Sequence, residues 1–284
     1  MALFGRLKTG LALSKDALLV VRHNPGLAVF PLVSGITGFA FLALFLGVTF
    51  GVVGVSAQGP ALVLLGLTYL TLTFVSSFFA AGLVHETREV LAGKEPSLGR
   101  GIEAAKAVWK PLLIWSFISA TVGVLINAIE NSDSRVARLV GTLFGAAWTL
   151  LTFFVVPVIV FEDTTTTGMF KESSHTFKEL WGETPISLVA VQLVGLVIAL
   201  PFVLLGIALS GISPILTAGA ILTGALLAFL VSQTLQGVIK TTLYLYATEG
   251  VRPDEFGDLD LDGLAGDGRQ SARSTSAPHT GGFR

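Results

Sequence analysis

Cysteine is absent from the chain, which excludes disulfides, thiolate metal ligands and cysteine nucleophiles together and leaves the redox compartment open. Charge is scarce as well. Asp, Glu, Lys and Arg make up 13% of the 284 residues, about half the roughly 25% usual in soluble domains. No charged residue and no histidine occurs from Asn24 to Val84, nor from Thr184 to Ile239. A globule in water needs charged faces, so such lengths require lipid as their solvent. Catalytic signatures are missing too: there is no Gly-x-Ser-x-Gly elbow, no Walker loop and no Gly-x-Gly-x-x-Gly turn. His85-Glu-Thr-Arg-Glu89 begins like a zincin helix, but Glu89 stands where the second histidine is required. The reading is a non-enzyme with no cofactor and no metal. The cluster is expected to snorkel where a helix leaves the membrane. A net charge of −1 gives no reason to expect nucleic acid as a partner. Arg6, Lys8, Lys15 and Asp16 interrupt the first apolar stretch, so no cleaved signal peptide is expected.

What the chain does have is apolar length, with 52% hydrophobic residues and a mean hydropathy of +0.77. A hydrocarbon core about 30 Å thick takes about 20 helical residues. Six segments qualify: Leu32 to Val53, Leu62 to Val84, Leu112 to Ile129, Leu139 to Phe161, Ile186 to Leu209, and Ile215 to about Tyr246. None alternates with period two, which excludes a barrel. Short polar turns at 54–60, 131–135 and 210–214 join them as three antiparallel hairpins. The expected fold is all-α: a polytopic transmembrane bundle over 1–252 and a tail over 253–284.

Lysine and arginine sit almost entirely on one side of that topology. The N-terminal segment, the second-to-third and fourth-to-fifth connections and the C-terminal segment, to which Lys240 is assigned, hold all but Arg135 and Arg138. Positive charge resists translocation, so both termini are expected in the cytoplasm of a multi-pass cell-membrane protein.

Each hairpin is preceded by a mixed stretch ending at a proline: Phe4 to Pro25, Ser97 to Pro111, and Thr166 to Pro185. In the first, Leu7, Leu11, Leu18 and Val21 oppose Lys8, Lys15 and Arg22. In the second, Leu98, Ile102, Ala105 and Trp109 oppose Arg100, Glu103, Lys106 and Lys110. In the third, Phe170, Ser173, Phe177, Leu180 and Trp181 oppose Lys171, His175 and Lys178. Such patterns predict amphipathic helices in the cytoplasmic headgroup plane. Arg100, Lys106, Trp109 and Lys110 are the candidate lipid-headgroup contacts. The tail, with Asp254, Glu255, Asp258, Asp260, Asp262 and Asp267 followed by Gly, Ser, Thr and Pro, is too poor in apolar residues to build a core and is expected to be disordered.

Inside the spans the polar residues are Asn127, Gln192, Gln233, Gln236 and hydroxyls, with no charge at the midplane. Amides at such depth hold helices together more often than they line a path. Gly47-x-x-x-Gly51 and Gly141-x-x-x-Gly145 predict close helix contact, and Pro157 and Pro201 predict interruptions of the fourth and fifth helices.

Phe-Phe-Ala-Ala-Gly-Leu (78–83), Pro-Ser-Leu-Gly-Arg-Gly-Ile-Glu-Ala-Ala (96–105), the run from Leu143 to Glu162, and Phe-Lys-Glu-Ser (170–173) with Trp181-Gly182 resemble a prokaryotic domain-of-unknown-function family of six-helix membrane proteins. Phe30-Pro-Leu-Val-Ser-Gly35 fits the same pattern, and the resemblance runs over about residues 1–250. A more distant similarity is to membrane domains attached to glycerophosphodiester phosphodiesterases, whose catalytic domain this chain lacks. The resemblance implies topology without chemistry. The functional expectation is a non-enzymatic, lipid-organising membrane component whose partners are membrane lipids and an unidentified membrane protein. The alternative is a permease for a small uncharged solute or lipid.

Overall fold

The computed structural model describes residues 2–53, 58–163, 165–179 and 184–250, with the side chains of 2–10, 52–53, 58–62, 179 and 184–190 left out. The 54–57 turn, Leu180, Trp181 and the tail from 253 lie outside the described residues. Every regular element among those described is helical. In chain order they are α1 (Ala2–His23), α2 (Val29–Val48), α3 (Gln58–Leu91), α4 (Leu98–Ala107), α5 (Trp109–Glu130), α6 (Arg135–Leu151), α7 (Val155–Phe161), α8 (Thr166–Glu179), α9 (Thr184–Leu209) and α10 (Pro214–Glu249). A 3-10 turn, Pro25–Ala28, leads into α2, and a π turn, Thr49–Val53, closes it.

Among the described residues, six stretches are long and apolar enough to cross a membrane: Pro25–Gly51, Val63–Leu91, Trp109–Glu130, Arg135–Phe161, Val191–Leu209 and Pro214–Glu249. The prolines explain where several begin. Pro31, Pro60, Pro111, Pro185 and Pro214 each stand in the first turn of a helix, where a missing N–H costs nothing. Ser97 and Ser134 cap α4 and α6 by accepting the Arg100 and Ala137 N–H groups at 3.5 and 3.3 Å. Gly250, at φ +68°, ends α10 in the left-handed region.

The helices pack α2 on α3, α5 on α6 and α9 on α10, with α3 also meeting α4, α5, α7 and α10. Glycine sets the tightest contacts. A Cβ on Gly101 would lie 2.4 Å from the Phe30 ring and one on Gly82 would lie 2.8 Å from it, so Phe30 wedges between α3 and α4 only because both are glycine. Of the two Gly-x-x-x-Gly expectations, Gly141 and Gly145 do face α5, where an added Cβ would lie 2.9 Å from Glu130 and 3.3 Å from Ile126. A Cβ on Gly47 or Gly51 would meet nothing within 4 Å among the described residues.

The amphipathic helices hold their apolar faces against protein. On α1 the buried residues are Leu13, Ser14, Ala17 and Val20, packed toward α9 and α10, while Leu11 and Leu18 are exposed. On α4, Gly101 and Ala105 are buried on α3, and Trp109 already belongs to α5 and is 47% exposed. On α8, Met169, Ser173, Thr176 and Phe177 are buried against the bundle. Periodicity identifies an apolar face, and it does not say whether lipid or a neighbouring helix covers it.

The fourth span is broken. Pro157 cannot donate to the carbonyl four residues back, and the chain leaves helical geometry over Thr152–Phe154 before resuming as α7. Ser173 of α8 closes the break: its Oγ donates to the Leu151 carbonyl at 2.7 Å and accepts from the Phe154 N–H at 3.2 Å. Pro201 interrupts nothing, since α9 runs through it.

Candidate functional site

The ends of three spans meet at one end of the bundle. Arg88, near the end of α3, pairs with Glu249 at the end of α10 at 2.8 Å and lies 5.0 Å from the Phe161 ring at the end of α7. Tyr244 of α10 stacks on Phe161 and donates to Glu162. This end also carries α4, α8 and the start of α2 and α5, so it holds nearly all the described basic residues.

Just inside it lies a cavity of about 390 Å³. Its walls come from the first turns of α2 (Pro31, Ser34), the second half of α3 (Ser76, Phe79, Leu83), the start of α5 (Trp115, Ser119), the broken fourth span (Trp148, Thr152, Phe153, Pro157) and α10 (Phe229, Gln233, Gln236, Gly237, Lys240). All five contributions therefore come from the charged half of the bundle. The Trp115 and Trp148 rings stack at 6.1 Å, and Phe170 of α8 braces both at 5.9 Å. Thus α8 holds the wall twice, by Phe170 behind the tryptophans and by Ser173 in the break.

The chemistry of the cavity is uneven. Aromatic and aliphatic side chains form most of it, serine and threonine hydroxyls dot it, and α10 supplies the two amides and a lone ammonium. Gln233, Gln236 and Lys240 are spaced i, i+3 and i+7, which places them on one helix face. Among the described residues no carboxylate lies within ion-pair distance of Lys240; its Nζ sits over the Phe153 ring, 4.7 Å from the centroid. The inventory of polar residues inside the spans lacked one member. Lys240, assigned to the C-terminal segment, lines the interior of the sixth span because α10 continues to Glu249. Asn127 and Gln192 do not line the cavity, and Asn127 instead accepts from Asn131 at the far turn.

The four candidate headgroup residues separate into two groups. Arg100 sends Nε and Nη2 to the two Glu86 oxygens at 2.8 and 2.6 Å, and Nη2 also donates to the Glu95 carbonyl at 2.7 Å. Glu86, fully buried, further accepts the Ser97 N–H at 2.7 Å. The hydrogen bonds it donates to Glu86 hold the Arg100 guanidinium pKa above its ordinary value. Glu86 and Thr87 are therefore interior residues of the α3–α4 contact, although the sequence reads their cluster as snorkelling. Lys106, Trp109 and Lys110 are exposed, with the Lys110 ammonium 5.8 Å from the centre of the Trp109 ring.

Comparison with known proteins gives a family and no activity. No curated protein and no solved structure matches the chain, and the likeness to phosphodiesterase-associated membrane domains is not among the findings. One family, described as a family of unknown function (DUF6159), matches residues 59–253, which takes in α3 to α10 and leaves α1 and α2 outside. That span includes four of the five walls of the cavity and covers well over half of the chain, so the protein belongs to the DUF6159 family.

Proposed function

We propose that the protein is a non-enzymatic, multi-pass cell-membrane component that gathers lipid at its cytoplasmic end. It holds one lipid chain in the cavity and meets neighbouring headgroups through the exposed Lys106, Trp109 and Lys110, with Arg100 beside them. The cavity carries this reading. Its volume of about 390 Å³ falls in the range of small-molecule sites, roughly 300–1,000 Å³. Its walls are mainly apolar and aromatic, with both amides and the ammonium on one helix, which is the profile an amphiphile requires. Basic residues near an anionic leaflet add about 1 kcal/mol each to such an association. The charge asymmetry of the loops supports the cytoplasmic placement of this end.

The test is lipid retention. Ser119→Phe places a ring in the cavity without touching the headgroup residues. Protein purified with native lipid should lose its most tightly held lipid in this variant and keep it when Lys106 and Lys110 are changed to Gln. Equal lipid content in wild type and Ser119→Phe would refute the reading. A second reading, a permease for an uncharged solute or lipid, is favoured by one observation: the broken fourth span borders the cavity, as broken helices do in transport sites. Flux into proteoliposomes that is abolished by Ser119→Phe would decide for it.

A further inference from the structure

We propose that the cavity is a site for a single-chain anionic amphiphile of the fatty-acid class, its carboxylate held by Lys240 with Gln236 and Gln233 and its chain lying along the aromatic wall toward Phe229. This rests on the lipid-holding reading above and names the ligand.

Three observations carry it. The first is charge. Among the described lining residues Lys240 is the only charged one, and they offer it an aromatic face in place of a carboxylate. A cation taken partly out of water keeps its charge cheaply only when an anion or a set of acceptors meets it. A single ammonium, with no arginine beside it, suits a single negative charge. The second is the amides. Gln236, half-buried, and Gln233, exposed, make no hydrogen bond among the described residues, and both lie on the same face of α10 as Lys240. The ammonium, with no carboxylate among the described lining residues, selects an anionic head over a cationic one, and each amide can turn an N–H donor toward it.

The third is length. From Phe229 to Lys240 the α10 wall rises about 16 Å. Half of a hydrocarbon core of about 30 Å is about 15 Å, the depth one acyl chain occupies in one leaflet. The ammonium also sits at the right level. Lys240 stands nine residues before Glu249, roughly 13 Å from the end of α10, on the side where the charged helix ends meet. A ligand entering from that leaflet therefore brings its head to Lys240 and its chain to Trp115, Trp148 and Phe229. The volume, about 390 Å³, suits one chain rather than a two-chain phospholipid with its headgroup.

The tryptophans make the proposal measurable. Replacing Trp109 and Trp181 by Phe leaves only Trp115 and Trp148, both in the cavity region. Bromine on an acyl chain quenches a tryptophan it touches. In detergent, a brominated long-chain fatty acid should quench this protein saturably. Lys240→Gln should weaken that binding about tenfold or more, Lys240→Arg should largely retain it, and the methyl ester of the same acid should bind the two Lys240 forms alike. An unbrominated lysophosphatidic acid and inorganic phosphate, added as competitors that restore the fluorescence, separate a carboxylate head from a phosphate one and an amphiphile from a free anion.

Equal binding of acid and ester by wild type, or unchanged acid binding by Lys240→Gln, overturns the headgroup assignment while leaving the cavity as a lipid site. Stronger competition by inorganic phosphate than by the neutral ester overturns the amphiphile. Absence of quenching by every brominated chain defeats both this inference and the lipid-holding reading. Folding of Lys240→Gln is not in jeopardy, since removing an unpaired, partly buried cation relieves a desolvation cost.

Discussion

Ser173→Ala is the substitution for which the structure fixes both the mechanism and the scale. Ser173 is fully buried and its Oγ serves two backbone groups of the broken fourth span, the Leu151 carbonyl and the Phe154 N–H. Alanine nearly conserves the volume and removes both bonds. The Phe154 N–H lies on a residue with no exposure and becomes an unsatisfied buried donor, which costs about 1–3 kcal/mol. The lost bond to the Leu151 carbonyl adds about 1 kcal/mol. Together these give a destabilisation of about 2–4 kcal/mol. At about 2–4 °C per kcal/mol, the thermal midpoint in detergent should fall by at least about 4 °C. The control is Ser174→Ala on the same helix, which removes only a bond to the Lys171 carbonyl one turn back. The assay is a fixed-rate thermal melt of both purified variants, followed by tryptophan fluorescence, because Trp148 lies one turn before the break. A midpoint for Ser173→Ala equal to that of Ser174→Ala would refute the argument that α8 holds the break closed.

Gly101→Ala should destabilise the protein by about 1–3 kcal/mol through its clash with the Phe30 ring, and Phe30→Leu in the same chain should recover part of that loss; a melt in which the double variant is worse than either single one would remove Phe30 from the explanation. Arg100→Gln should lower the thermal midpoint, because it strips the buried Glu86 of two donors, whereas Lys106→Gln, at an exposed position, should stay within about 0.5 kcal/mol of the wild type; equal melts would contradict the ion-pair assignment. In intact cells, Ser132→Cys should react with a membrane-impermeant maleimide and Ser276→Cys should not, the native chain having no cysteine of its own; the reverse pattern would invert the topology.

Span count and type were legible because lipid imposes one rule on the whole length, apolar residues for about 20 positions, and that rule needs no knowledge of neighbours. What covers each amphipathic face was not legible, since Leu13, Ala17 and Val20 of α1 bury against α9 and α10 by the same chemistry that would bury them in lipid. The buried Glu86 shows the limit from the other side. His85-Glu-Thr-Arg-Glu89 reads as a solvated exit, and only the return of α4, which brings Arg100 back to Glu86 from fourteen positions further along the chain, turns one of its carboxylates inward. A signal for the cavity did exist in the sequence. Gln233-x-x-Gln236-x-x-x-Lys240 sets three strongly polar residues on one face of a largely apolar helix, and counting Lys240 with the C-terminal cytoplasmic segment concealed it.

The break in the fourth span and the cavity are one piece of design. An unbroken helix through 152–154 would carry its bulky side chains past the cavity in a regular spiral; the break instead presents Thr152, Phe153, Val156 and Pro157 to the same space. Proline makes the break, but proline alone would leave backbone groups exposed to an apolar interior, where each unmet group is costly. Ser173 supplies the missing partners from α8, and Phe170 on the same helix steadies the stacked tryptophans. Holding the wall open therefore depends on a helix outside the membrane spans. It follows that Ser173→Ala should loosen ligand binding in the cavity as well as stability, whereas Gly101→Ala, acting at the α3–α4 contact, should lower stability while leaving cavity binding close to wild type. The brominated fatty acid reads both effects at a temperature where each variant is folded. Loss of binding in Gly101→Ala equal to that in Ser173→Ala would show that the cavity follows global stability and owes nothing particular to α8.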